Sequence, residues 1–204
     1  MKIYSYLALG DSYTIGDQVK LAQSFPYQTV QMLRNNGVYV NAPEIIATSG
    51  WTTSELKLAI ENTHLLPSYN LVSLLIGVNN QYRGKSAEEF RTHFRTLLEM
   101  AIKLAEGNSN HVFVLSIPDW GVTPFAADRD VEKIAEEIDL YNFICQAEAD
   151  YYQTNYIDIT TLQRQNSNQE LYLSGDNLHP SGKEYTGWAE QLSHKIMTVL
   201  DKSA

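Results

Sequence analysis

Gly10, Asp11 and Ser12 follow the apolar run "YLAL" near the start of the chain, and far downstream Asp176 and His179 stand three positions apart, just before Pro180. A hydroxyl, an imidazole and a carboxylate fill the roles that acyl transfer needs: a nucleophile, a base, and a group to orient that base. A sharp turn at the end of a strand exposes the Ser12 hydroxyl and leaves its backbone N–H facing the same space. The short separation of Asp176 and His179 permits the carboxylate to hold Nδ1 while Nε2 faces the serine. Two further positions can stabilise an oxyanion. Gly50 offers a backbone N–H with no side chain in the way, and Asn79 offers a side-chain amide.

These residues are useful only if the fold brings them together. Short apolar runs, "IYSYLAL", "EIIATS", "LVSLLIG", "HVFVLSI" and "NYIDI", alternate with stretches of helical period over 23–36, 53–62, 87–106, 128–153 and 182–200. Strand alternating with helix is the pattern of a parallel sheet covered on both faces, and continuous apolar runs fit strands buried on both sides. Ser or Thr followed three residues later by Glu marks three helix starts: Thr52 with Glu55, Ser86 with Glu89, and Ser181 with Glu184. Val131, Ile134, Ile138, Tyr141, Cys145 and Ala149 form one apolar stripe, and Tyr185, Trp188, Leu192, Ile196 and Val199 form another; both read as core. One domain over 1–204 is expected. In such a sheet ligands bind beyond the carboxyl ends of the strands, where the loops carrying Ser12, Gly50, Asn79 and His179 all lie.

Gly10-Asp11-Ser12, Gly50, Gly77-Val78-Asn79 and Asp176-x-x-His179-Pro180 occur in the order and approximate spacing of the SGNH hydrolases, also called the GDSL esterase and lipase family, and the chain resembles that family from its first strand to its last helix. The resemblance implies a three-layer α/β/α sandwich on a flavodoxin-like, five-stranded parallel sheet, and hydrolysis of carboxylic esters through an acyl-enzyme. It implies Ser12 as nucleophile, His179 as base and then acid, and Asp176 as the residue that orients it. The oxyanion hole it implies is the Ser12 N–H, the Gly50 N–H and the Asn79 amide. The family's first block often continues with Leu where Tyr13 stands here, and its third often has Asp where Asn80 stands. The first departure reads as a packing change. The second removes a charge beside an oxyanion donor, so an amide or another group must hold that loop.

Trp51, Tyr82, Trp120, Phe125 and Tyr172 fall in the same rim of loops and suggest an aromatic-walled substrate cleft, suited to an acyl chain or a sugar ring. Arg83 is the cation beside the third motif, where it either meets an anionic leaving group or pairs with a neighbour. Asp11 reads as support for the nucleophile turn, and Asp17 and Asp119 as solvated. With the resemblance, the expected substrate is a small-molecule ester: a short-chain or lysophospholipid-like ester, or alternatively an O-acetyl group on carbohydrate or peptidoglycan. A non-catalytic flavodoxin-like binding module is the rival from another class, and for it at least one role should be vacant.

Composition narrows the remaining classes. Apolar residues make up 44% and charged residues 19% of the 204, a globular balance, and the formal net charge of -9 disfavours nucleic acid and anionic bilayers as partners. His64, His93, His111 and His194 show no paired spacing, so neither a metal nor another cofactor is expected. The one cysteine, Cys145, reads as a buried thiol. The first residues lack the features of a secretory leader and no apolar run is long enough to span a bilayer, so a cytoplasmic protein without membrane insertion is the expectation.

Overall fold

The computed structural model of the chain describes residues 2–166 and 169–201. Five strands, β1 (Tyr6–Gly10), β2 (Glu44–Ala47), β3 (Leu71–Leu75), β4 (Val112–Leu115) and β5 (Asn155–Ile157), pair in parallel in the order β2-β1-β3-β4-β5. They coincide with the five apolar runs. The central strands β1, β3 and β4 are buried along their whole length, whereas the edges β2 and β5 are only partly covered. Where polar side chains enter this centre they meet each other, as the Tyr6 and Ser73 hydroxyls do at 2.8 Å between β1 and β3.

Among the described residues, eight α-helices connect and flank the strands: α1 (Ser12–Ile15), α2 (Phe25–Asn35), α3 (Thr53–Asn62), α4 (Val78–Tyr82), α5 (Ala87–Leu104), α6 (Val131–Tyr151), α7 (Thr160–Asn166) and α8 (Gly182–Asp201). α2 packs on α8, while α3 meets α5 and α5 meets α6, which builds the α/β/α sandwich. The long helices match the periodic stretches; the single-turn α1 and the short α4 and α7 lie in polar segments with no such period. α6 begins at Val131 rather than 128 because the Asp130 carboxylate accepts the Lys133 N–H at 3.1 Å and caps it there. The expected capping box at Thr52 is complete, with the Thr52 N–H donating to Glu55 Oε2 at 2.7 Å. At Ser181 only half of it forms. The Ser181 hydroxyl accepts the Lys183 and Glu184 N–H groups at 3.2 and 3.4 Å, but Glu184 turns inward and accepts from Asn166 Nδ2 and Trp188 Nε1, both at 2.9 Å.

From β1 the chain winds outward to β2, then returns past β1 to β3 and continues to β4 and β5. This reversal opens a crevice at the carboxyl ends of β1 and β3, where doubly wound sheets bind their ligands. Ser12 comes directly after β1, and Asn79 directly after β3.

Candidate active site

The nucleophile turn is built from three residues with separate duties. Gly10 is required by close approach: a Cβ there would lie 2.1 Å from Thr14 Oγ1 and 2.4 Å from the Leu75 carbonyl oxygen. Asp11 caps α1, its Oδ1 accepting the Tyr13 N–H at 3.1 Å. Ser12 then opens the helix at 6% exposure, and left-handed Gly16 closes it by donating its N–H to the Ser12 carbonyl at 3.0 Å. Asp11 itself is fully buried, and its Oδ2 has no partner among the described residues. Burial pushes its pKa from 3.8 up to about 7, the Tyr13 N–H pulling the other way and Asp17 adding to the rise.

At the far end of the chain, Asp176 organises its own loop around His179. Oδ1 accepts the Leu178 and His179 backbone N–H groups at 3.0 Å each, and Oδ2 lies 2.6 Å from His179 Nδ1. Partial burial works against the charge of Asp176, but the bonds from the imidazole and the two N–H groups outweigh it and hold the carboxyl below its ordinary range. Engagement of Nδ1 leaves Nε2 as the ring nitrogen for proton exchange. Tyr13, where the family pattern often has Leu, packs its ring 5.6 Å from the His179 ring and 6.1 Å from that of Trp188 on α8. It thus wedges the imidazole against the last helix.

Beside the Ser12 N–H, the candidate oxyanion donors come from two other loops. Gly50 adopts φ +83°, a left-handed conformation that favours glycine, and its carbonyl accepts Arg83 Nη2 at 2.5 Å. Among the described residues neither the Ser12 nor the Gly50 N–H has a hydrogen-bond partner, so both are available to a ligand. Asn79 spends one amide hydrogen on the Trp51 carbonyl at 3.0 Å, which fixes the side chain and leaves the second hydrogen to donate. Asn80, the substitute for an acid, is buried and clamps α3: it accepts the Thr53 N–H at 3.0 Å and donates to the Thr53 hydroxyl at 2.8 Å. The loop is therefore held by a neutral amide, without a buried charge beside the donors.

Ser12, His179, Gly50 and Asn79 line one cavity of about 230 Å³. Tyr82, Trp120 and Phe125 give it aromatic wall, with Trp120 at the centre: its ring meets those of Tyr82 and Phe125 edge-on at 5.3 and 6.0 Å. Trp51, Tyr172 and Arg83 do not line it, so the aromatic cleft is narrower than expected. The Trp51 side chain packs against the core, Tyr172 lines a separate small cavity beyond Leu178, and Arg83 is occupied by the Gly50 carbonyl and by Glu55 at 3.4 Å. Asp119 and Asp17 are also not simply solvated. Asp119 is fully buried, accepts the Gly121 N–H at 2.8 Å and pairs with Arg164 at 2.9 Å, anchoring the Trp120 loop to α7. Asp17 is half-buried in the cavity wall and accepts the Ser49 hydroxyl. Gln81, which no sequence motif singled out, accepts the Trp120 indole N–H at 2.7 Å and donates to Glu137 at 2.7 Å, fixing the aromatic wall.

Among the described residues no group of three or more His, Cys, Asp or Glu side chains could hold a metal ion, and no helix is long and apolar enough to cross a membrane. A serine on the switch point of a doubly wound sheet, a histidine gripped by an aspartate and unspent backbone donors around one cavity are the make-up of a serine hydrolase. The chain belongs to the GDSL-like Lipase/Acylhydrolase family, whose profile matches residues 8–186, and it is a carboxylic ester hydrolase. No curated protein sequence matches it closely enough to count as a relative. Its fold is similar to that of TesA, at 17% identity over 96% of this chain and 99% of that one, with a TM-score of 0.72. It is similar too to a lipase/acylhydrolase from Enterococcus faecalis, at 18% identity over 96% and 95% of the two chains and a TM-score of 0.72. Axe2, an acetylxylan esterase from Geobacillus stearothermophilus, aligns at 17% identity over 95% and 94%, with a TM-score of 0.74.

Proposed function

We propose that this chain removes short acyl groups, acetyl foremost, from an alcohol carrier, with Ser12, His179 and Asp176 as its triad. The observation that carries the reading is the 2.6 Å contact between His179 Nδ1 and Asp176 at a cavity that also holds Ser12. Asp176 sets the tautomer, so that Nε2 accepts the proton as the Ser12 oxygen attacks the ester carbonyl. The tetrahedral oxyanion is received by the Ser12 and Gly50 N–H groups and the Asn79 amide, and the alcohol departs with the proton that His179 returns. Water then attacks the acyl-enzyme by the same route, restoring Ser12.

The size of the cavity supports a short acyl group. At about 230 Å³ it falls below the roughly 300–1,000 Å³ typical of sites that enclose a drug-sized ligand. A long acyl chain would have to lie largely outside it. Removal of acetyl groups from carbohydrate is accordingly favoured over lysophospholipid hydrolysis, and the structurally similar Axe2 is an esterase of that kind. The test is a series of p-nitrophenyl esters of rising acyl length with wild type and Ser12→Ala. Turnover should fall steeply beyond the shortest acyl groups, and Ser12→Ala should abolish both hydrolysis and labelling by a fluorophosphonate. Activity surviving in Ser12→Ala would remove Ser12 as the nucleophile.

A further inference from the structure

We infer that Asp17 sets the charge selectivity of the site, admitting esters whose alcohol portion presents hydroxyl donors, as a polyol or sugar does, and rejecting those that carry an anionic group near the ester. The inference rests on the esterase reading above and adds to it the chemistry of the alcohol.

Asp17 stands one turn beyond the nucleophile, and its own N–H donates to the Ser12 carbonyl at 3.0 Å. The residues on either side of it, Gly16 at φ +80° and Gln18 at φ +66°, are both left-handed, so the backbone reverses around this one side chain. Asp17 lines the cavity that holds Ser12 and His179, and the hydroxyl of Ser49, a second lining residue and the neighbour of Gly50, donates to one oxygen of its carboxylate. The remaining lone pairs accept hydrogen bonds only, so they suit hydroxyls and repel carboxylates or phosphates.

No lysine or arginine among the described residues lines this cavity to offset that charge. Arg83, the nearest cation by sequence, already serves the Gly50 carbonyl and Glu55. A substrate anion would therefore meet Asp17 in a cavity lined by no lysine or arginine, with the charge of Arg83 behind Gly50 offset by Glu55, on a chain whose formal net charge is -9. The aromatic rings supply contact area that carries no formal charge, which leaves the larger part of charge selectivity to the polar wall.

The experiment compares the acetate esters of two nearly isosteric alcohols, hydroxypropionamide and hydroxypropionate, in wild type and Asp17→Asn. The quantity read is the ratio of kcat/KM for the anionic ester to that for the neutral one. Asp17→Asn should raise this ratio at least about fivefold, the effect of a like charge about 4 Å away at the dielectric of bulk water, and by more where the protein surface lowers that dielectric. In the wild type the same ratio should rise with added salt, since screening weakens the repulsion; this second measurement does not depend on the variant folding. A parallel pair, glycerol monoacetate and propyl acetate, should show the polyol ester losing several-fold in relative kcat/KM in Asp17→Ala, through KM. Hydrolysis of all four esters with ratios that neither Asp17→Asn nor Asp17→Ala moves would overturn the role of Asp17, whatever the effect of salt, and leave the esterase reading standing. Failure of the wild type to hydrolyse any of them would overturn both.

Discussion

Replacing Asp11 by Asn should make the protein less stable in mild acid and more stable at neutral to alkaline pH, with the two stability curves crossing. Asp11 is fully buried, and burial raises its pKa from 3.8 to about 7. Below pH 3.8 the group is protonated in both folded and unfolded chains and costs the fold nothing. As pH rises toward 7 the unfolded chain ionises first while the folded one keeps its proton, so stability is lost across that window and levels off above it. About three pKa units at 1.36 kcal/mol each come to about 4 kcal/mol over the whole range, of which roughly 2–3 kcal/mol falls between about pH 5 and pH 8. Asn keeps the Oδ1 that accepts the Tyr13 N–H and cannot ionise. Its amide nitrogen would stand where Oδ2 has no partner among the described residues, at a pH-independent cost of ~1–3 kcal/mol. Urea unfolding followed by tryptophan fluorescence, with both proteins at each pH, measures the difference directly, because titrations elsewhere cancel. A difference that stays flat within about 1 kcal/mol across that range, or that moves against the variant as pH rises, would refute the assignment of a buried, proton-retaining carboxyl beneath the nucleophile.

Asn79→Ala should lower kcat by roughly a hundred- to a thousandfold while leaving KM nearly unchanged, as expected of a donor used in the transition state, and should cost about 1 kcal/mol of stability through the lost bond to the Trp51 carbonyl; steady-state kinetics beside a melting curve separates the two effects. Gly10→Ala should destabilise the fold by about 3 kcal/mol or more, because its Cβ would fall 2.1 Å from Thr14 Oγ1 and 2.4 Å from a backbone carbonyl that cannot yield; denaturant midpoints will show it. Asp119→Ala should cost ~2–3 kcal/mol by removing the buried carboxylate that Arg164 and the Gly121 N–H share, Arg164 keeping Asp139 at 2.8 Å, and it should also loosen the Trp120 wall, visible as a change in tryptophan emission.

The strands and long helices were legible because burial on both faces of a parallel sheet leaves unbroken apolar runs, and because caps such as Thr52 with Glu55 act within a few residues of each other. The site was legible to the extent that loop position follows strand order: Ser12, Gly50, Asn79 and His179 meet at one cavity as the alternation of elements required. What escaped depends on partners far along the chain. Asp119 has the look of a solvated loop acid until Arg164 arrives from α7, a helix whose "TTLQRQN" carries no apolar period. Glu184 was expected to reach back to its helix start and instead serves Trp188 and Asn166. Trp51 contributes its carbonyl, not its ring, to the site, and a backbone role of that sort leaves no trace in residue type. Gln81 was hidden for a similar reason, since its importance lies in bridging Trp120 to Glu137 on α6.

The packing of α8 on α2, with Tyr13 wedged between Trp188 and His179, has a consequence for how the enzyme comes into being. Until α8 docks, the Ser12 turn stays hydrolytically silent, because His179 lies far along the chain from it and its imidazole is seated against Tyr13, which packs on Trp188. The onset of ester cleavage during synthesis or refolding therefore marks completion of the tertiary structure, and the enzyme's own turnover can serve as the clock for its folding.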